Sequence, residues 1–376
     1  MKKRELIQQF TSQLIVEKKR KNKVTNANIT SSLITSAVNL AFVNESCQSS
    51  GKISKSQVIY RKINEHTKDE ISKCFNNITI RFFKILKIIS RNRKLIVSFD
   101  TTKEAFYGKP NKAKPEDRLY LHPGSIAKES YFYYEFMTSS ITCNVKEKFI
   151  LNGLIVPRGF YMEDYVYRMI SFIKQLIPVE LFLFDRGFGS WGMIYRLKEL
   201  KVNYIVFWKK QGNWYKKYLS GLENKEMKLI KRTNKYNRNK TCYPVSSNFV
   251  IIKQYNSKNF IFDWIFATNL TSKLSSFYIK RYKKRWGIET TYRVIDKIRI
   301  YTTSINPTIR YFLFMFICFV HNIWKFFQMQ IGTDLTLSNF KTNMIIFMTE
   351  TGMIYPKHYD YFKNAASKLF NLKMVL

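Results

Sequence analysis

Two apolar hexapeptides, LIVSFD at 95–100 and ELFLFD at 180–185, each end in an aspartate. Near-continuous apolar runs of that length are what a strand needs when both of its faces are covered, as in a parallel sheet flanked by helices. An acid at the end of each run places Asp100 and Asp185 at the carboxyl ends of parallel strands, where α/β folds build their sites. The plain alternative for either acid is a turn residue or a helix cap.

Neighbouring segments extend the pattern. YFYYEFMTSSITC (131–143) and KFILNGLIV (148–156) are rich in β-branched and aromatic residues, with Asn152-Gly153 interrupting the second. Tyr161–Ile177 has helical periodicity, Ser190–Leu200 forms a second helix, and NYIVFW (203–208) is a last strand. The order β-β-β-α-β-α-β closed by a helix is that of a ribonuclease H-like mixed sheet with flanking helices. The glycines of GFGSWG (187–192) fit the turn between strand and helix. No acid stands about twenty residues further on, where a dinucleotide fold would carry one.

The closing helix lies in YIKRYKKRWGIETTYRVIDKIR (278–299), where Glu289 is set among Lys280, Arg281, Lys283, Lys284, Arg285, Arg293, Lys297 and Arg299. At roughly 100° per residue, Tyr282, Arg285 and Glu289 fall within about 60° of one another, with Ile288, Ile295 and Ile298 on the far side. A single carboxylate among cations on an exposed face suits joint binding of a metal and a polyanion. A solvated basic helix with i,i+4 pairs is the competing account.

Charge points the same way. The 376 residues carry 64 Lys+Arg against 26 Asp+Glu, a formal net charge of +38, with 45% hydrophobic and 16% aromatic residues. Such a chain can bury a core, and a polyanion offsets its self-repulsion, so nucleic acid is the expected partner. The cations are spread over the chain rather than flanking one lipid-like helix, and the most apolar run, Tyr311–Val320, is shorter than a bilayer span. No membrane association and a cytoplasmic, nucleoid-associated location are expected. The five cysteines are scattered without C-x-x-C, against a zinc site or a disulfide framework.

Four regions are expected. Residues 1–90 form a helical DNA-binding region, including one helix over Ser54–Asn76. Residues 91–208 and 269–327 form the catalytic domain, 209–268 a β-rich basic insertion before the last catalytic helix, and 328–376 a helical C-terminal tail with a patch at Tyr361–Leu372. Within the insertion, Lys209–Lys240 holds eleven Lys/Arg against two Glu, interleaved with Trp214, Tyr215, Tyr218 and Tyr236, and reads as a loop facing nucleic acid.

Three blocks, SFDTTKEAFYG (98–108), LFDRGFG (183–189) and RWGIETTYR (285–293) with its Y-x-x-R-x-x-x-E at 282–289, resemble the acid blocks of DDE transposases. The resemblance is to the prokaryotic insertion-sequence-four type, with its Tyr-Arg-Glu-Lys signature, over about residues 94–325. It implies that Asp100, Asp185 and Glu289 are catalytic and bind two Mg²⁺ ions, Mn²⁺ substituting. It further implies that Tyr282 and Arg285 contact the backbone of the element end, with Lys209, Lys210, Lys284, Arg293 and Lys297 as further DNA-binding residues. The signature's basic residue, expected seven after Glu289, is Asp296 here, with Lys297 beside it. The implied activity is cut-and-paste transposition, with hydrolytic cleavage at terminal inverted repeats of double-stranded DNA, then 3′-hydroxyl transfer to target DNA, by a homodimer. A structure-specific nuclease of the same fold and a non-catalytic DNA-binding derivative are the alternatives.

Overall fold

Apolar strand-forming runs and amphipathic helices alternate along the computed structural model, which describes residues 26–50, 55–86, 95–142, 148–257, 260–331 and 335–350. In chain order the helices begin with α1 (Asn26–Asn39), α2 (Val43–Ser50), α3 (Ser56–Asn64) and α4 (Lys68–Leu86). Then come β1 (Leu95–Phe106), α5 (Pro115–Arg118), β2 (His122–Pro123), β3 (Phe132–Ile141), β4 (Ile150–Val156), α6 (Met162–Leu176), β5 (Val179–Phe184), α7 (Trp191–Glu199) and β6 (Tyr204–Phe207). After these follow α8 (Lys216–Leu219), β7 (Met227–Arg238), β8 (Thr241–Ser257), β9 (Phe260–Thr268), α9 (Ser275–Lys283), α10 (Trp286–Ile295), α11 (Pro307–Ile331) and α12 (Leu337–Glu350).

The chain divides into two compact units, residues 1–78 with 293–376, and residues 79–292. The second contains the sheet. Its strands run β2-β3-β1-β5-β6-β9-β8-β7, with β4 also paired to β3. β1 is parallel to β5 and β5 to β6, while the remaining pairs are antiparallel. This is the ribonuclease H-like arrangement expected from the order of elements. Asn152-Gly153 does not interrupt β4; the ladder shifts register opposite, at Ser139/Ser140, where Ser139 Oγ donates to Asn152 Oδ1 at 2.5 Å.

Side chains alternate across a strand, so Ile96, Ser98 and Asp100 share one face of β1. On β5 the same face carries Leu181 and Leu183, with Asp185 following the strand. Ile96, Leu181, Leu183, Ile205, Phe207, Val250, Trp264 and Phe266 form a core there with Tyr278, Ile279 and Tyr282 of α9. The opposite face stacks Phe99 on Phe184 with ring centroids 5.0 Å apart.

The insertion is less loop-like than its composition suggests. Residues 227–238 are strand β7, paired with β8 along its whole length, and β9 continues the main sheet through β6. Among its four interleaved aromatics, none is exposed. Trp214 lies beneath the Arg232 guanidinium, 3.7 Å from the ring centroid, and against Phe249. Tyr236 is buried and donates to Glu163 Oε1 at 3.0 Å. Lys216, Lys217, Lys225, Lys228, Lys231, Lys235 and Lys240 are exposed, so this segment shows cations to solvent and keeps its rings for packing.

β7 is fastened to the first turn of α6. Asp164 accepts from Arg238 at 2.7 and 2.6 Å and from Arg196 of α7 at 3.2 and 2.8 Å. Burial alone would raise the Asp164 pKa, but the Arg238 and Arg196 hydrogen bonds hold it below the usual carboxylate value. The third glycine of GFGSWG has its explanation here. A Cβ on Gly192 would overlap the Glu163 carboxylate and stand 2.7 Å from Tyr236 Cε2.

In the other unit the expected helix over Ser54–Asn76 is two helices. Thr67 and Glu70 form a capping box that starts α4 afresh: Glu70 N donates to Thr67 Oγ1 at 3.2 Å and Thr67 N to Glu70 Oε2 at 2.8 Å. Helix α1 has no charged residue and is largely buried, α12 packs against it, and Phe75 meets Phe312 of α11 with centroids 5.7 Å apart. Within α11, Pro307–Met329 is long and apolar enough to cross a membrane, longer than the sequence suggests, and 78% of its most apolar stretch is buried inside the protein. That is the pattern of a core helix. The Tyr361–Leu372 patch lies outside the described residues.

Replacing Gly192 with Ala is expected to destabilise the protein by about 2 kcal/mol, the range for a clash in a packed interior. Urea denaturation of the two proteins measures it, and equal midpoints would contradict the close approach.

Candidate active site

Asp100 is not at the end of its strand. β1 runs six residues past it to Phe106, yet Phe99 pairs with Phe184, so Asp100 and Asp185 stand level on neighbouring parallel strands. Long pairing of β1 with β3 carries the strand onward, whereas β5 stops and turns at Arg186–Phe188.

The third acid reaches them from a broken helix. The run expected as one helix divides at Lys284–Arg285 into α9 and α10. Three contacts seat α10. Tyr292 Oη donates to the Asp100 carbonyl at 3.0 Å, it hydrogen-bonds Thr138 Oγ1 at 2.7 Å, and a Cβ on Gly287 would touch Thr142 at 3.3 Å. Glu289 then projects beside the sheet with its side chain 45% exposed.

At the centre stands Arg285. Its Nη1 donates to Asp100 Oδ2 at 3.0 Å and its Nη2 to Glu289 Oε1 at 2.5 Å, and Nη2 lies 3.8 Å from Asp185 Oδ1. Nε donates to Tyr282 Oη at 3.1 Å, and that hydroxyl donates to Asp185 Oδ1 at 3.3 Å. Tyr282's ring packs against Phe207, Trp264 and Phe266, anchoring the hydroxyl. Three carboxylates thus meet one guanidinium, with Arg285 buried, Asp100 largely buried, and Asp185 and Glu289 partly open to solvent.

Burial and charge oppose each other here. Desolvation raises the Asp100 pKa to about 6, with Asp185 and Glu289 adding to the rise and Arg285 and the Thr101 amide working against it. For Arg285, burial disfavours the cation, but Tyr282, Asp185, Asp100 and Glu289 outweigh it and hold the guanidinium protonated.

Exposure corrects part of the sequence reading. Tyr282 and Arg285, expected on a face open to DNA, are 2% and 5% exposed and face the acids. Lys284 is exposed, Lys209 half-buried, and exposed Lys210 pairs with Asp263 at 3.6 Å. Arg293, Asp296 and Lys297 are exposed and belong to the other unit. Tyr292 and Thr138 were missed. Tyr292 sits three residues after Glu289, on the same helical face, and that spacing was the available signal.

All three acids offer carboxylate oxygens, the donors that Mg²⁺ and Mn²⁺ favour, and the cluster already holds a cation in Arg285. Among the described residues, no three Asp, Glu, His or Cys side chains lie close enough to hold a metal ion. The Arg285 guanidinium stands among the three acids. In chemistry the donor set fits a divalent ion.

Because folded Asp100 holds its proton more tightly than unfolded Asp100, the folded state loses stability as pH rises from about 4 to about 6. Compared in chelator, wild type should lose up to roughly 3 kcal/mol relative to Asp100→Asn across that window. Parallel curves from urea denaturation at pH 4 and pH 7 would contradict the buried setting of Asp100.

Residues 141–321 match the family model described as Transposase DDE domain, just under half of the chain. The matched stretch includes Asp185 and Glu289; Asp100 precedes it. The fold is similar to that of piggyBac transposase in a cryo-EM structure of its synaptic complex with hairpin DNA. Identity there is 12%, with TM-score 0.55 over 96% of this chain and 82% of that one. A crystal structure of Endonuclease V from Bacillus subtilis matches at 11% identity over 63% of this chain and 86% of that one, and its TM-score of 0.22 is too low to bear on the fold. No curated protein matches the chain. The family match supports a transposase DDE domain over residues 141–321, in a family that generally uses divalent metal ions, and the structural match supports the fold.

Proposed function

We propose that this chain is a cut-and-paste DNA transposase in which Asp100, Asp185 and Glu289 are the catalytic acids. The observation that carries this reading is the meeting of three carboxylates, from β1, the end of β5 and α10, around a single cation. When bound by these acids, two Mg²⁺ ions, or Mn²⁺ in their place, supply Lewis-acid activation of an attacking oxygen and stabilisation of a leaving oxygen.

The chain's own residues do the rest. Tyr282 fixes the Asp185 carboxylate through its hydroxyl, and Tyr292 with Thr138 locks the strand that carries Asp100. Exposed lysines of the insertion and Lys284 provide a sequence-independent hold on backbone phosphates. Cleavage at element ends frees 3′ hydroxyls that attack the opposite strand, forming a hairpin, and later the target. The region of residues 1–90 contributes end binding, and two copies pair the two ends in the cytoplasm.

The test is Mg²⁺-dependent cleavage of DNA carrying the gene's own flanking sequences. Asp100→Asn should lower the cleavage rate by about a thousandfold or more while DNA binding persists. A clean Asp100→Asn preparation that cuts at the wild-type rate would overturn the site assignment. Cutting that follows branched DNA structure rather than the flanks would instead assign a structure-specific nuclease.

A further inference from the structure

The oxygens that a divalent ion would need are those that Arg285 now holds. Nη1 is on Asp100 Oδ2, and Nη2 is on Glu289 Oε1 and near Asp185 Oδ1. A guanidinium presents its donors in a fixed planar fork, so it serves several carboxylates at once. It also repels any second cation placed within a few ångströms. We propose, on the reading of Asp100, Asp185 and Glu289 as metal ligands, that Arg285 is a resident counter-ion that excludes divalent metal from the acids until it moves aside.

The surroundings support displacement rather than a permanent tie. Arg285 sits in the turn between α9 and α10, not within either helix. Asp185 and Glu289 are 39% and 45% exposed, so the carboxylate cluster opens to solvent on their side. Exposed Lys284 in the turn and exposed Lys280 one helical turn before it would bring a phosphate near Arg285. A phosphate offers the guanidinium the same bidentate partner that the carboxylates do. DNA therefore provides the alternative ligand for Arg285, and the acids become available when substrate is present.

Such a device has a use. Metal loading is then tied to DNA, and in its absence Arg285 offsets part of the repulsion among the acids.

The experiment is Mn²⁺ binding to the DNA-free full-length protein, read from the free-Mn²⁺ paramagnetic resonance signal. Arg285→Gln should bind Mn²⁺ at least about tenfold more tightly than wild type. Combining it with Asp100→Asn should remove the gain. Arg285→Lys keeps one charge without the fork, should fall between the two, and serves should Arg285→Gln fail to fold by circular dichroism. Equal Mn²⁺ affinity in wild type and both Arg285 variants, lost in each with Asp100→Asn, would overturn the exclusion by Arg285 while leaving the acids as metal ligands. Folded Arg285 variants that bind no Mn²⁺ would overturn both.

Discussion

One buried guanidinium sets the geometry of this protein's acidic centre. Three carboxylates from separate elements do not gather this closely without a cation, because each disfavours ionisation of the others. Arg285 supplies that charge and the directionality with it, donating to Asp100, Glu289 and Tyr282 from one planar group. The raised pKa of Asp100 shows that burial still outweighs this compensation.

The fold exists to bring these groups level. Parallel pairing of β1 with β5 puts Asp100 and Asp185 side by side, and the aromatic core under α9 holds Tyr282 where its hydroxyl reaches Asp185. On the far side of the sheet, the ion pairs of Asp164 and the bare backbone at Gly192 fix the insertion hairpin to α6 and α7. The hairpin's exposed lysines are thereby carried on a rigid support.

Much of the sheet-containing unit was legible in the amino-acid order. LIVSFD and ELFLFD announce themselves because apolar runs that end in a charge have few other uses, and their strands pair as expected. What escaped depended on partners distant in sequence. Nothing near Arg285 shows that Asp100 and Asp185 lie opposite it, so a residue surrounded by lysines reads as exposed while the fold buries it. Strand β7 was hidden because both of its faces carry exposed lysines, Lys228 on one and Lys231 and Lys235 on the other, giving a polar run with little alternation. The break between α3 and α4 was readable, since Thr67-x-x-Glu70 is a capping box, but the apolar spacing across it suggested continuity.

The most direct test of the central claim is where a bound metal sits on the polypeptide. Fe²⁺ takes the oxygen ligands of Mg²⁺, and with ascorbate it cuts the backbone beside its own site. With duplex DNA carrying the flanking sequences present, cuts should fall near Asp100, Asp185 and Glu289 together and fade as Mg²⁺ is added. Cuts that cluster elsewhere, or that spare one of these three segments, would contradict a shared metal centre.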